Sequence, residues 1–254
     1  MSEQPASPET LWPRMKELME AEGPPAVIAL VSGHVDAVER GKLFSLALNA
    51  FSSREWEGKN LDAIIAVAQA GIWDALQQAD SARGEECDKL LDRANVLSYN
   101  LSATLAPCWP GDALPREQRH FEAGLSAAED CLRWRAQLKK GPMPFAIAHW
   151  ARGIHLNALG RHDSALAAHE SALHRAEAVA IAEGKPVRVA SNAHWLVLLS
   201  AGYVELARRL AGSHDVGPFE RVLRIIDEAA KERPDEAEDL VFCADQLREA
   251  ARRL

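Results

Sequence analysis

The chain has 254 residues, 48% of them hydrophobic, and a mean hydropathy of -0.20, which excludes the polar, core-poor composition of a disordered protein. Its 29 Lys and Arg against 37 Asp and Glu leave a net charge of -8, which repels phosphate backbones and argues against a nucleic-acid partner. No segment approaches about 20 uninterrupted apolar residues, so no membrane partner is expected.

Cys87, Cys108, Cys131 and Cys243 are scattered and form no CxxC pair, so neither a disulfide framework nor a zinc site is predicted. The polar, acidic start MSEQPASPET lacks the basic, then apolar, pattern of a signal peptide, and with reduced cysteines it predicts a cytoplasmic protein.

Apolar residues recur at three- and four-residue steps almost throughout, the pattern of helices that bury one stripe. The one ambiguous run, Ala26 to Val31 after Pro24 and Pro25, predicts a short helix, because a lone strand has no partner there. Leu61, Ile64, Ile65, Ala68, Ile72 and Leu76 make the next stripe, followed by Ala94, Leu97, Leu101 and Leu105. The loop from Pro107 to Pro115 follows, with Trp109 either folded back as a lid on the core or presented as a contact surface. Later stripes are Phe121, Leu125, Ala128, Leu132, then Ala165, Leu166, Ala172, Leu173, Ala176, Ala180, and last Leu240, Ala244, Leu247, Ala251.

Gly23, Gly41, Gly58, Gly84, Gly141, Gly160, Gly184 and Gly212 each follow a periodic segment, where a left-handed residue closes a helix. The pairs Gly41-Lys42, Gly58-Lys59 and Gly184-Lys185 lack the other residues of a phosphate loop. Basic clusters (Arg133, Arg135, Lys139, Lys140; Arg208, Arg209; Arg252, Arg253) suit helix C-termini, whose carbonyls favour cations. Together these predict one all-α domain over residues 1–254. N-terminal helices occupy about 1–60, helix pairs about 61–232, and a polar capping helix about 235–254.

The segment Ala148 to Ala180 carries the most information. With Gly153 as the eighth position of a helical repeat, Ala165 falls twentieth and Ala172 twenty-seventh, with Gly160 in the turn. Small residues there let two helix backbones approach to about 8 Å. In this frame the segment resembles the tetratricopeptide repeat family, although His149 and His169 stand at its fourth and twenty-fourth positions, where aromatics are common. Ala-His-Trp recurs at Ala193 to Trp195, and the step of 45 exceeds the family's minimum of about 34. Ala229 and Pro234 match the twenty-seventh and thirty-second positions ahead of a helix from about Ala237. The resemblance implies a right-handed α-solenoid of antiparallel hairpins, and a protein or peptide segment bound on its concave face.

That family frame assigns Ile147, Trp150, Ile154 and Asn157 to the groove, with Asn192, Trp195, Leu199 and Gly202 for the Trp195 unit. Arg188 stands just before that helix as a carboxylate contact. Tryptophan offers a large apolar area with an N–H donor and Asn can pair with peptide backbone; the alternative is that both tryptophans are core.

Six of the nine histidines lie between His149 and His194. His169-Glu170-Ser-Ala-Leu-His174 is one residue too long for a zinc-protease helix, because histidines five apart fall on different faces. His155, His162 and His169 remain as candidates for an alternative all-helical enzyme or metal protein. A di-iron bundle would need two Glu-x-x-His motifs, and only Glu117-x-x-His120 is present. Nucleophile elbows and dinucleotide glycine patterns are missing, so a non-catalytic scaffold without cofactor is expected. A third alternative is a self-associating module, a homo-oligomer formed through an uncapped solenoid end.

Overall fold

The computed structural model describes residues 8–254, and the start of the expected N-terminal segment, residues 1–7, lies outside them. The described residues form eleven α-helices and no strand. These are α1 (Pro8–Glu22), α2 (Pro24–Ser32), α3 (Ala37–Ser53), α4 (Leu61–Ser81), α5 (Glu85–Leu105), α6 (Gln118–Gln137), α7 (Pro142–Ala158), α8 (His162–Ala182), α9 (Trp195–Leu210), α10 (Gly217–Glu232) and α11 (Ala237–Arg253). The all-α class follows from the sequence stripes, and within each unit helices next in sequence pack on one another. Two compact units result, one ending at Leu105 and one running from Ala106 to Leu254.

In the first unit α4 and α5 form the main hairpin, α3 packs on both, and α1 and α2 complete the core. Pro24 and Pro25 open α2, as expected where prolines lack only N–H groups that a first turn leaves unpaired. Asp36 and Asn60 cap α3 and α4 by accepting from the amides of Glu39 (2.8 Å) and Ala63 (2.9 Å). Gly71 lets α4 approach its neighbours: a Cβ there would lie 2.8 Å from the Phe44 Cβ and 3.2 Å from a Leu97 methyl. Phe51 sits between Trp12 and Trp56, with ring centroids 5.3 and 5.5 Å away. The half-buried pair Arg40–Asp74 (2.7 Å) ties α3 to α4.

In the second unit α7 packs between α6 and α8, α8 packs on α9, and α9 also meets α7, α10 and α11. The turn at Gly160 is left-handed, as are Gly23, Gly58, Gly84, Gly184 and Gly212. Two expected terminators prove otherwise. Gly41 lies inside α3, where its bare face accommodates the Arg93 guanidinium, and Gly141 precedes α7 at φ −70° as an N-cap. The two Ala-His-Trp segments also differ in setting. Ala148–Trp150 lies within α7, whereas Ala193 and His194 precede α9 and Trp195 opens it. Their step is therefore not a step between equivalent helix positions. Arg233 donates to the carbonyls of Ser191 (3.2 Å) and Ala193 (2.8 Å), pinning the chain that enters α9.

Candidate functional site

Gly153 and Ala165 lie in the contact of α7 with α8, against His169 and Leu156, and Ala172 is buried one turn further along α8 than His169. What fills the space over Gly153 is the His169 ring; a Cβ there would sit 2.5 Å from its Cε1. His169 is wholly buried, stacks on Tyr203 of α9 at 5.2 Å between centroids, and meets the Asn157 amide at Nε2 (3.4 Å). Asn157 Oδ1 faces His162 Nδ1 at 3.3 Å, so the amide bridges the two imidazoles. Desolvation holds the His169 pKa down to about 3, and the ring is neutral.

Trp150 belongs to the same interior. Its ring meets Tyr203 at 6.0 Å and Trp109 at 5.8 Å, and Trp109 stacks on Phe242 of α11 at 6.1 Å. The loop tryptophan thus folds back over α7. The Tyr203 hydroxyl lies beside the Trp150 indole and the Cys108 thiol, and burial raises its pKa. Tyr203 Oη, Trp150 Nε1 and His169 Nδ1 are all buried without a well-formed hydrogen bond. Cys108 accepts from Gln246 (3.4 Å), and burial pushes its thiol up to about 11.

The nine residues expected in or beside the groove therefore divide. Trp150, Ile154 and Asn157 are buried, with no face left for a partner, because Trp109 and Tyr203 reach Trp150 from chain segments far away in sequence. Gly202 is covered by Leu247 of α11. Ile147, Trp195 and Leu199 are half-buried, and Arg188 and Asn192 are exposed in the chain between α8 and α9. Ile147 and Trp195 come together: with Met143 and Leu173 they pack on one buried cluster of Ala146, Ala176, Val179, Ala180, Leu196 and Val197. Next to Trp195, His194 caps α9 by accepting from the Leu196 amide at Nδ1 (3.2 Å), and its Nε2 faces the Glu183 carboxylate at 3.2 Å.

The three candidate histidines do not converge. His155 turns toward α6, against Gly124 and Phe121, while His169 turns toward Gly153 and Tyr203. Among the described residues no three His, Cys, Asp or Glu side chains are placed to hold a metal ion. Glu117-x-x-His120 is a capping pair: His120 Nδ1 accepts from the Glu117 amide (2.9 Å) at the start of α6.

No family model matches the chain, and no curated protein matches it in sequence.

Two surface features were not singled out from the sequence. One is an open groove of about 330 Å³ between α6 and the α7–α8 turn, floored by Leu125 and Leu159 and rimmed by Glu122, Glu129 and Arg161. Its carboxylates are already engaged, Glu122 by Gln118 and Glu129 by Arg152. The other is the pair Val241 and Phe242, exposed on α11, the helix expected to be a polar cap. The period of α11 predicts its buried face, but nothing local marks two large apolar residues outside that face as half-exposed.

Proposed function

We propose that this chain is a non-catalytic scaffold, related in plan to tetratricopeptide repeats, that binds a protein or peptide segment on the ridge formed by Ile147, Trp195 and Leu199. Arg188 and Asn192 lie exposed in the chain that leads into Trp195. The observation that carries the proposal is the half-exposed apolar strip of Met143, Ile147, Leu173 and Trp195 set over a buried cluster of three alanines with Val179, Leu196 and Val197. A rigid base with one large aromatic at its edge is the arrangement that concentrates binding energy in a few residues. The neighbouring loop adds an exposed cation and amide, which suit a segment's carboxylate and backbone.

The buried half of the expected groove serves stability in this account, and the exposed half serves contact. Four free cysteines, three of them buried, suit a reducing cytoplasm, and the net charge of -8 suits a protein partner better than a nucleic acid.

Selection of displayed random peptides on the full chain tests this. Enriched peptides are expected to lose at least about tenfold in affinity on Trp195→Ser and on Ile147→Ser, a loss of about 1.4 kcal/mol each. Enriched peptides that bind both variants as well as the parent would refute the ridge as the contact surface.

A further inference from the structure

The outer face of α11 carries Val241 and Phe242, 48% and 47% exposed, while Leu240, Cys243, Ala244, Leu247 and Ala250 bury the inner face. Glu238 and Asp245 lie three or four residues from both, so their carboxylates share the face of the pair, and Asp239, three residues before Phe242, flanks that ring on the side toward Cys243. Asp245 is paired with Arg248 (3.0 Å), whereas Glu238 and Asp239 make no ion pair among the described residues. Phe242 is not a loose side chain. Its ring stacks on Trp109 with an interplanar angle of 23°, and Trp109 rests on the buried Trp150. The platform is thus pre-ordered, which lowers the entropy that binding must overcome.

We propose that this face docks a cationic amphipathic helix of a partner protein, with apolar residues over Val241 and Phe242 and Lys or Arg opposite Glu238 and Asp239. The chemistry selects this occupant over others. A second copy in a two-fold contact would set carboxylates against their own counterparts across a small apolar patch. Anionic lipid headgroups and nucleic-acid phosphates meet the same repulsion. A basic helix instead gains both burial and opposite charge, and the net charge of -8 steers it inward. The proposal does not rest on the Trp195 ridge.

The test uses the full chain and two labelled synthetic helical peptides of one apolar pattern, leucine with lysine and leucine with glutamate, read by fluorescence anisotropy. The leucine–lysine peptide should bind. Phe242→Ser, and separately Glu238→Lys with Asp239→Lys, should each weaken it by at least about tenfold, and the charge-reversed variant should gain the leucine–glutamate peptide. Asp80→Lys with Glu86→Lys, an equal charge change on exposed positions of the first unit, should leave affinity within about twofold. Equal losses in the two double variants would mean bulk charge alone, and an unchanged Phe242→Ser would remove the apolar contact. Either result overturns the proposal. So does a concentration-dependent dimer in sedimentation that Phe242→Ser abolishes, because it would place a second copy on this face.

Discussion

At Gly71 the close approach of α4 is filled by Phe44 and Leu97, whereas at Gly153 the close approach of α7 is filled by the imidazole of His169. Both glycines allow neighbouring side chains to sit where a Cβ would be. The hydrocarbon filling is indifferent to pH and demands no hydrogen bond. The imidazole filling requires a neutral ring, one amide contact from Asn157 and a stacking partner in Tyr203, and it leaves Nδ1 without a partner. His155 over Gly124 repeats the second arrangement on the other side of α7. At Gly153 a polar ring thus stands where hydrocarbon stands at Gly71, and the packing of α7 on α8 is tied to protonation.

The largest effect expected from this contrast is at Gly71. In Gly71→Ala the new Cβ meets the Phe44 Cβ, which is anchored to its backbone, so a whole helix must shift. Overpacking costs about 1–3 kcal/mol and helix propensity returns at most about 1, giving a net loss of about 2 kcal/mol in urea unfolding.

Acid comes next. The folded-state pKa of His169 lies at about 3, below its ordinary value of 6.5, so the unfolded chain takes up the proton first. Its contribution is complete above pH 6.5 and falls as pH drops from 6.5 toward 3, by about 1.4 kcal/mol per pH unit. His169→Leu removes the titrating ring. Between pH 7 and pH 5 the parent should therefore lose about 2 kcal/mol more than this variant. Parallel stability profiles would mean that the ring is hydrated in the folded chain. Gly153→Ala should cost about as much as Gly71→Ala, about 2 kcal/mol, because its methyl would meet the His169 ring at 2.5 Å and that ring is wholly buried against Tyr203.

Much of this architecture is local and was legible in the sequence. Proline placement gives the start of α2, six glycines close turns at positive φ, and the small-residue frame places Gly153 and Ala165 in the α7–α8 contact. The basic residues of the last turns of α9 and α11 stand where their charges favour them. The sequence stripe of α4 is only partly its core: Leu61, Ile64 and Ala68 are buried with Val67, Gly71 and Ala75, while Ile65, Ile72 and Leu76 are half-buried. Gly41 fails as a terminator because its reason for being glycine is Arg93, a residue of another helix.

The site was less legible for the same cause. Trp150 and Trp195 look alike in their Ala-His-Trp settings, but Trp109 and Tyr203 cover the first and leave the second half open. Burial of that kind is decided by tertiary neighbours, which no period of three or four residues records. The aromatic platform on α11 depends likewise on a loop residue more than a hundred positions away.

The pair of tryptophans gives the most direct test of the division between a stabilising interior and a binding ridge. Melting temperature and affinity for a ridge-selected peptide should be measured together for Trp150→Ala and Trp195→Ala. Trp150→Ala should lower stability by about 3–5 kcal/mol, with a matching fall in melting temperature. Trp195→Ala should shift melting far less and weaken the peptide at least about tenfold. A Trp195→Ala variant that melts earlier yet binds the peptide unchanged would contradict the account.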